Sequence, residues 1–278
     1  MQHNDLLTYR TNVFSQNGED GIIQYIFGRI GSGSKICCEF GAWDGVHLSN
    51  CRNLVVQGWK AIMIESDKKR YVRLRMMYAD NPSVRTVHRF VDAANNKLDD
   101  ILRELNVVSL DFLNVDIDGL DYQIFESLDI RPSVICIEVC AGHDPQSLST
   151  IPVDVAKDNV GQPLAVFDKL ARDKVYNLVC YTGNAFFVLR ELCRQHSLQL
   201  LPIEIAYANY LKHLTTSEKE WLYLANIGIV PPYYCFNNPY LNGPALGISP
   251  GRSVILRSAA RAKQYLLKKA RSIRDSIK

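Results

Sequence analysis

The residues best suited to chemistry stand where short apolar runs end. The run ICCEF at residues 36–40 carries Glu39 and is followed by Gly41-Ala-Trp-Asp-Gly45. Glycines at such a turn let a ligand approach the backbone where side chains would block it, and Glu39 is suited to receive an ammonium. The run AIMIE ends in Glu65, twenty residues after Gly45. A carboxylate at a second strand end accepts hydrogen bonds from both hydroxyls of a ribose. Together these residues point to a nucleoside-containing cofactor; taken alone, the glycine stretch also admits a plain tight turn. Asp92, after the third run, is placed to take an adenine amino group or to organise its own loop.

A second set belongs to the segment LDFLNVDIDGLD at residues 110–121. Asp116 and Asp118 lie two apart and share one face if the strand continues. Glu138, near the end of the next run, completes a carboxylate group able to hold a divalent cation or share a proton. Asp118 is equally suited to cap the following helix, with Gly119 in the turn. His143, in the loop CAGHDP, has a side chain suited to accept a hydroxyl proton.

Residues 15–30 place Ile22, Ile23, Ile26, Phe27 and Ile30 on one helical face, with Ser15 or Asn17 as cap. Runs rich in β-formers follow at residues 35–40, 60–65, 84–91, 110–117 and 133–140, most of them separated by enough chain for a helical crossover. Five such strands imply a parallel sheet covered on both faces. The runs at residues 176–181 and 184–190 are joined by Thr182 and Gly183 alone, which makes a hairpin and an antiparallel final strand. Five parallel strands and a terminal hairpin form the Rossmann-like sheet of class I methyltransferases, whereas a nicotinamide-binding domain stays parallel. Residues 1–195 are expected to form this domain, with residues 196–278 as an extension. In the extension Ser217 and Glu220 read as a capping box, a Pro/Gly/Asn-rich loop spans 231–251, and a basic helix closes the chain.

At 278 residues and 47 % hydrophobic the chain has the make-up of an ordinary globular protein. No apolar core for a signal peptide opens it, and no apolar run approaches the roughly 18 residues that cross a bilayer; the expectation is a cytoplasmic protein. Most of the eight cysteines sit inside strand-like runs without a CxxC pair, which favours free thiols over a zinc site or a disulfide frame. Residues 252–278 hold nine Lys/Arg against the single acid Asp275, about +8 of the net +3, leaving about −5 for residues 1–251. That tail suits an anionic lipid surface or an acidic partner, while Tyr265 as its one aromatic argues against nucleic acid.

With these residues in place, the chain resembles the FkbM-type methyltransferase family, in the branch that carries SQ-x-GED before the first strand. The matching pieces are SQNGED at 15–20, EFGAWDGVHLSN at 39–50, GWKAIMIE at 58–65, LNVDIDGLDYQIF at 113–125, and the later GQPLAVFDKL and YNLVCYTGNAFFVL. The resemblance implies S-adenosylmethionine as methyl donor and a sugar hydroxyl of a polysaccharide, glycolipid or related glycan as acceptor. It also implies cofactor contacts at Glu39, Gly41, Gly45 and Glu65, with Gln16 and Asn50 near the methionine end. The segment after Leu192 lies outside the resemblance; it is expected to wall the acceptor side, with Tyr233, Tyr234 and Asn238 as its test positions. Two other classes remain open on the residues: a binding protein that kept the fold without turnover, and a nucleotide-dependent oxidoreductase, which the missing GxGxxG disfavours.

Overall fold

The computed structural model describes residues 5–117, 119–151 and 161–215, with 218, 219 and 222. Its sheet contains β1 (Ile36–Phe40), β2 (Lys60–Glu65), β3 (Val84–His88), β4 (Phe112–Val115), β5 (Val134–Glu138), β6 (Tyr176–Tyr181) and β7 (Asn184–Leu189). Their spatial order is β3-β2-β1-β4-β5-β7-β6. The first five pair in parallel, and β7 runs antiparallel to both β5 and β6. This is the Rossmann-like sheet of five parallel strands and an antiparallel terminal hairpin that the run spacing predicts. Thr182 and Gly183 make the hairpin turn, and Gly183 supplies its positive φ of 108°.

The helices are α1 (Glu19–Ile30), α2 (Arg52–Val56), α3 (Lys68–Met77), α4 (Leu98–Glu104), α5 (Asp121–Ser127), α6 (Leu164–Asp173), α7 (Arg190–Gln195) and α8 (Ile203–Lys212). Strands β4 and β7 are buried at every position, as a sheet covered on both faces requires. Ile22, Ile23 and Ile26 of α1 pack into the same core as Cys37, Phe112, Cys136 and Phe186 of the sheet. None of the described helices is long and apolar enough to cross a membrane.

Two local expectations are corrected. Helix α1 begins at Glu19 with both first-turn acids in place, but its N-cap is Gly18, left-handed at φ 92°, rather than Ser15 or Asn17. Ser15 Oγ, from the loop before the helix, accepts from the Asp20 amide at 3.0 Å, while Asp20 Oδ2 accepts from the amides of Val13, Phe14 and Ser15 at 2.7–2.8 Å. Strand β4 stops at Val115, so Asp116 is not on a continuing strand face. The chain turns because Asp121, the first residue of α5, accepts from the amides of Ile117 and Gly119, both at 3.0 Å. Asp118 lies outside the described residues.

The described residues up to Val139 and Pro145–Lys212 form one compact unit; Cys140–Asp144 group with the described residues from His213 onward. In the second unit a capping box does occur, between Thr215 and Glu218, whose partners exchange bonds of 2.6 and 3.3 Å. Ser217 and Glu220, the Pro/Gly/Asn-rich loop with Tyr233, Tyr234 and Asn238, and the basic tail lie outside the described residues.

Candidate active site

The carboxyl ends of β1, β2 and β4 lie side by side, in registers that pair Phe40 with Ile64 and with Val115. The turn leaving β1 is held in left-handed backbone at four places: Gly41 (φ 74°), Trp43 (φ 50°), Gly45 (φ 73°) and Leu48 (φ 58°). A bulky residue adopts that conformation only when its surroundings enforce it. Here the enforcing group is Glu65, whose Oε2 accepts from the Trp43 amide at 2.8 Å while its Oε1 accepts from the Asp67 amide at 2.7 Å. The Trp43 ring lies under the Arg70 guanidinium at 5.0 Å and meets the His47 ring edge-on. Sequence reading passed over Trp43; its position between the two glycines was the available signal.

Both glycines answer contacts inside the protein. A Cβ on Gly41 would stand 2.2 Å from the Asp116 carbonyl oxygen, and one on Gly45 2.5 Å from Leu74 and Tyr78. Gly41 therefore lets β1 and the end of β4 approach, and Gly45 lets the turn rest on α3. The glycine motif is thus explained by packing, and the case for a ligand passes to the polar groups.

Glu39 is buried, 3 % exposed. Its carboxylate accepts from the Ser49 hydroxyl, the Asn50 amide at 2.9 Å and Asn114 Nδ2 at 3.1 Å. Asn50 Nδ2 in turn donates to Asn114 Oδ1 at 2.9 Å. Burial pushes the Glu39 carboxyl up to about 7, against the opposing pull of the Ser49, Asn50, Cys51 and Asn114 donors. Glu39 is thereby a brace for the turn, and the acceptor left open beside it is Asn50 Oδ1, buried and without a donor among the described residues. Asn114 was missed in the sequence, although an amide inside the apolar run LDFLNV is a visible irregularity.

A second buried carboxylate, Glu19, ties α1 to the hairpin. Its Oε1 accepts from Thr182 Oγ1 at 2.9 Å and Asn184 Nδ2 at 3.3 Å, and its Oε2 from the Asn17 amide at 2.6 Å. Burial raises its pKa. Burial pushes the Cys136 thiol on β5 well up, and the charges of Glu19, Asp116 and Glu39 act in the same direction. This role of the SQNGED segment went unrecognised, because a Glu in a first helical turn reads as a helix-dipole partner.

Of the other expected residues, Gln16 is half-buried in the loop before α1, its carbonyl accepting from Asn12 Nδ2 at 2.8 Å. Asp116 is exposed just past β4, and Glu138 is half-buried at the end of β5 opposite Asn184. Asp92 closes its own loop: Oδ1 accepts from the amides of Ala94, Asn95 and Asn96 at 2.6–3.0 Å, which, led by Asn96, hold its pKa down at about 2. His143 belongs to the second unit, where its amide bonds the Cys140 carbonyl at 3.3 Å. Among the described residues no three His, Cys, Asp or Glu side chains are grouped to hold a metal, and the seven described cysteines are free thiols.

The donors of an adenosine-type cofactor with an amino-acid arm are ribose hydroxyls and an ammonium. Glu65 fits the first, with one amide on each oxygen and lone pairs to spare; Asn50 Oδ1 fits the second. No family model matches the chain, and no curated protein matches it. Among solved structures it is similar to an O-methyltransferase family protein from Burkholderia thailandensis, at 10 % identity and TM-score 0.38, covering 60 % of this chain and 55 % of that one. It is also similar to a SAM-dependent methyltransferase from Aquifex aeolicus (10 %, TM-score 0.37, 60 % and 88 %). A third is the glycopeptide N-methyltransferase MtfA in complex with sinefungin (14 %, TM-score 0.39, 68 % and 92 %). Likeness of this degree assigns no residue roles.

Proposed function

We propose that the protein is an S-adenosylmethionine-dependent O-methyltransferase of FkbM type acting on a sugar hydroxyl. The observation that carries the reading is the pair of buried carboxylates, Glu39 and Glu65, ending adjacent parallel strands on either side of a left-handed turn, in a sheet closed by a reversed β7. When bound, the cofactor supplies a sulfonium-linked methyl group. Glu65 accepts from the ribose hydroxyls, and Asn50 Oδ1 with Gln16 orients the amino-acid end. Asp116, exposed beside the turn, accepts the proton of the acceptor hydroxyl; His143 is the alternative base. Rate comes mainly from holding the hydroxyl in line and removing its proton.

Titration with S-adenosylmethionine and with NAD tests the cofactor class: saturable binding of the first and none of the second is expected. Transfer of a labelled methyl group to glycan acceptors tests the reaction. Asp116→Asn is expected to lower turnover roughly a hundredfold, the scale of a lost general base, with cofactor affinity unchanged. Turnover indifferent to Asp116→Asn but lost in His143→Ala assigns the proton to histidine. A loss on chelation assigns a cation to the carboxylates.

A further inference from the structure

Helix α3, KKRYVRLRMM, carries five basic residues and no acid. At 100° per residue Arg70, Tyr71 and Leu74 share one side, and this side packs. Leu74 is fully buried, Tyr71 stacks on His88 with centroids 4.9 Å apart, and Arg70 covers Trp43. The opposite side presents Val72 and Met76, one turn apart and 47 % and 73 % exposed. Lys68 and Arg75 flank them on one side, Lys69 and Arg73 on the other. None of these four cations enters an ion pair among the described residues. Their accumulation is not a general property of the chain, since residues 1–251 carry about −5 overall.

We propose that α3 is a docking surface for an anionic phospholipid bilayer, with the four cations against the headgroup phosphates and Val72 and Met76 in the interface below them. Charge complementarity selects an anionic partner. The apolar pair selects a lipid over a nucleic acid or acidic glycan, because exposed side chains along the centre of the patch gain only from a medium that takes them out of water. The surface stands whether or not the methyl-transfer reading holds.

Vesicle co-sedimentation of the full chain tests it, with mixed phosphatidylcholine and phosphatidylserine vesicles against pure phosphatidylcholine. The exposed positions permit substitution without loss of the fold, which circular dichroism checks. Combined Lys68→Ala, Lys69→Ala, Arg73→Ala and Arg75→Ala is expected to lower partitioning into the mixed vesicles at least about tenfold, and high salt to do the same. Val72→Ser with Met76→Ser is expected to lower it about threefold or more. A companion variant with Arg261, Lys263, Lys268 and Lys269 changed to alanine is expected to keep the α3-dependent binding. The proposal is overturned if the α3 cation variant partitions like the unmodified protein, whether or not the tail variant loses binding. It is also overturned if the Val72/Met76 variant is unaffected while duplex DNA displaces the vesicles, which would mark a polyanion site.

Discussion

Glu39 shows how one buried acid links stability to protonation. Its carboxyl is raised from 4.5 to about 7 because burial penalises the charged form more than the Ser49, Asn50, Cys51 and Asn114 donors favour it. A folded-state pKa above the unfolded one means the native state holds its proton longer. The contribution is therefore full below pH 4.5 and lost as pH rises through about 7, a difference of roughly 3 kcal/mol. Glu19, also raised by burial, adds a decline of the same sign. Glu39→Gln, which keeps the shape and removes the charge, is expected to flatten the fall in stability between pH 5 and 8 relative to the unmodified protein, read by urea unfolding. An unchanged slope would place the charge elsewhere. Neither the pKa nor the Asn114 partnership is visible in the sequence, because both arise from strands that meet only in the sheet.

At the scale of elements, two joints hold the site: the crossing of the Gly41 turn over the end of β4, and the Glu19 latch to the β6–β7 hairpin. Gly41→Ala combines a left-handed φ of 74° with a backbone oxygen 2.2 Å from the new Cβ, so a loss of roughly 2 to 4 kcal/mol is expected in denaturant unfolding. Thr182→Val preserves volume but removes a donor from a buried carboxylate, and about 1 to 3 kcal/mol should be lost. A Thr182→Val protein as stable as the unmodified one would show that Asn184 and the Asn17 amide satisfy Glu19 alone. The elements themselves were legible. Apolar runs marked all seven strands, and the two-residue Thr182-Gly183 link marked the reversed one. Strand ends were less legible: LDFLNVDID reads as strand through Ile117, but Asp121 captures the amides of Ile117 and Gly119 and turns the chain after Val115. Side-chain acceptors, Asp20 and Ser15, likewise hold the loop before α1, whose cap is Gly18.

For the whole molecule, the sheet order brings together acids that are far apart in the chain, Glu39 from β1, Glu65 from β2 and Asp116 after β4, at one edge of the fold. The spacing of Glu39, the glycines and Glu65 made that edge recognisable in advance. What spacing did not show is that each glycine is required by a protein contact and that Glu39 is already occupied, which leaves Glu65 and Asn50 as the groups proposed to meet a ligand. Isothermal titration of the full chain with S-adenosylmethionine, for the unmodified protein and for Glu65→Ala, tests this most directly. The unmodified protein is expected to bind, and Glu65→Ala, shown by its thermal transition to remain folded, to bind more weakly by roughly 1 to 3 kcal/mol. An unmodified protein that does not bind S-adenosylmethionine, or a Glu65→Ala protein that binds it equally well, would contradict the account.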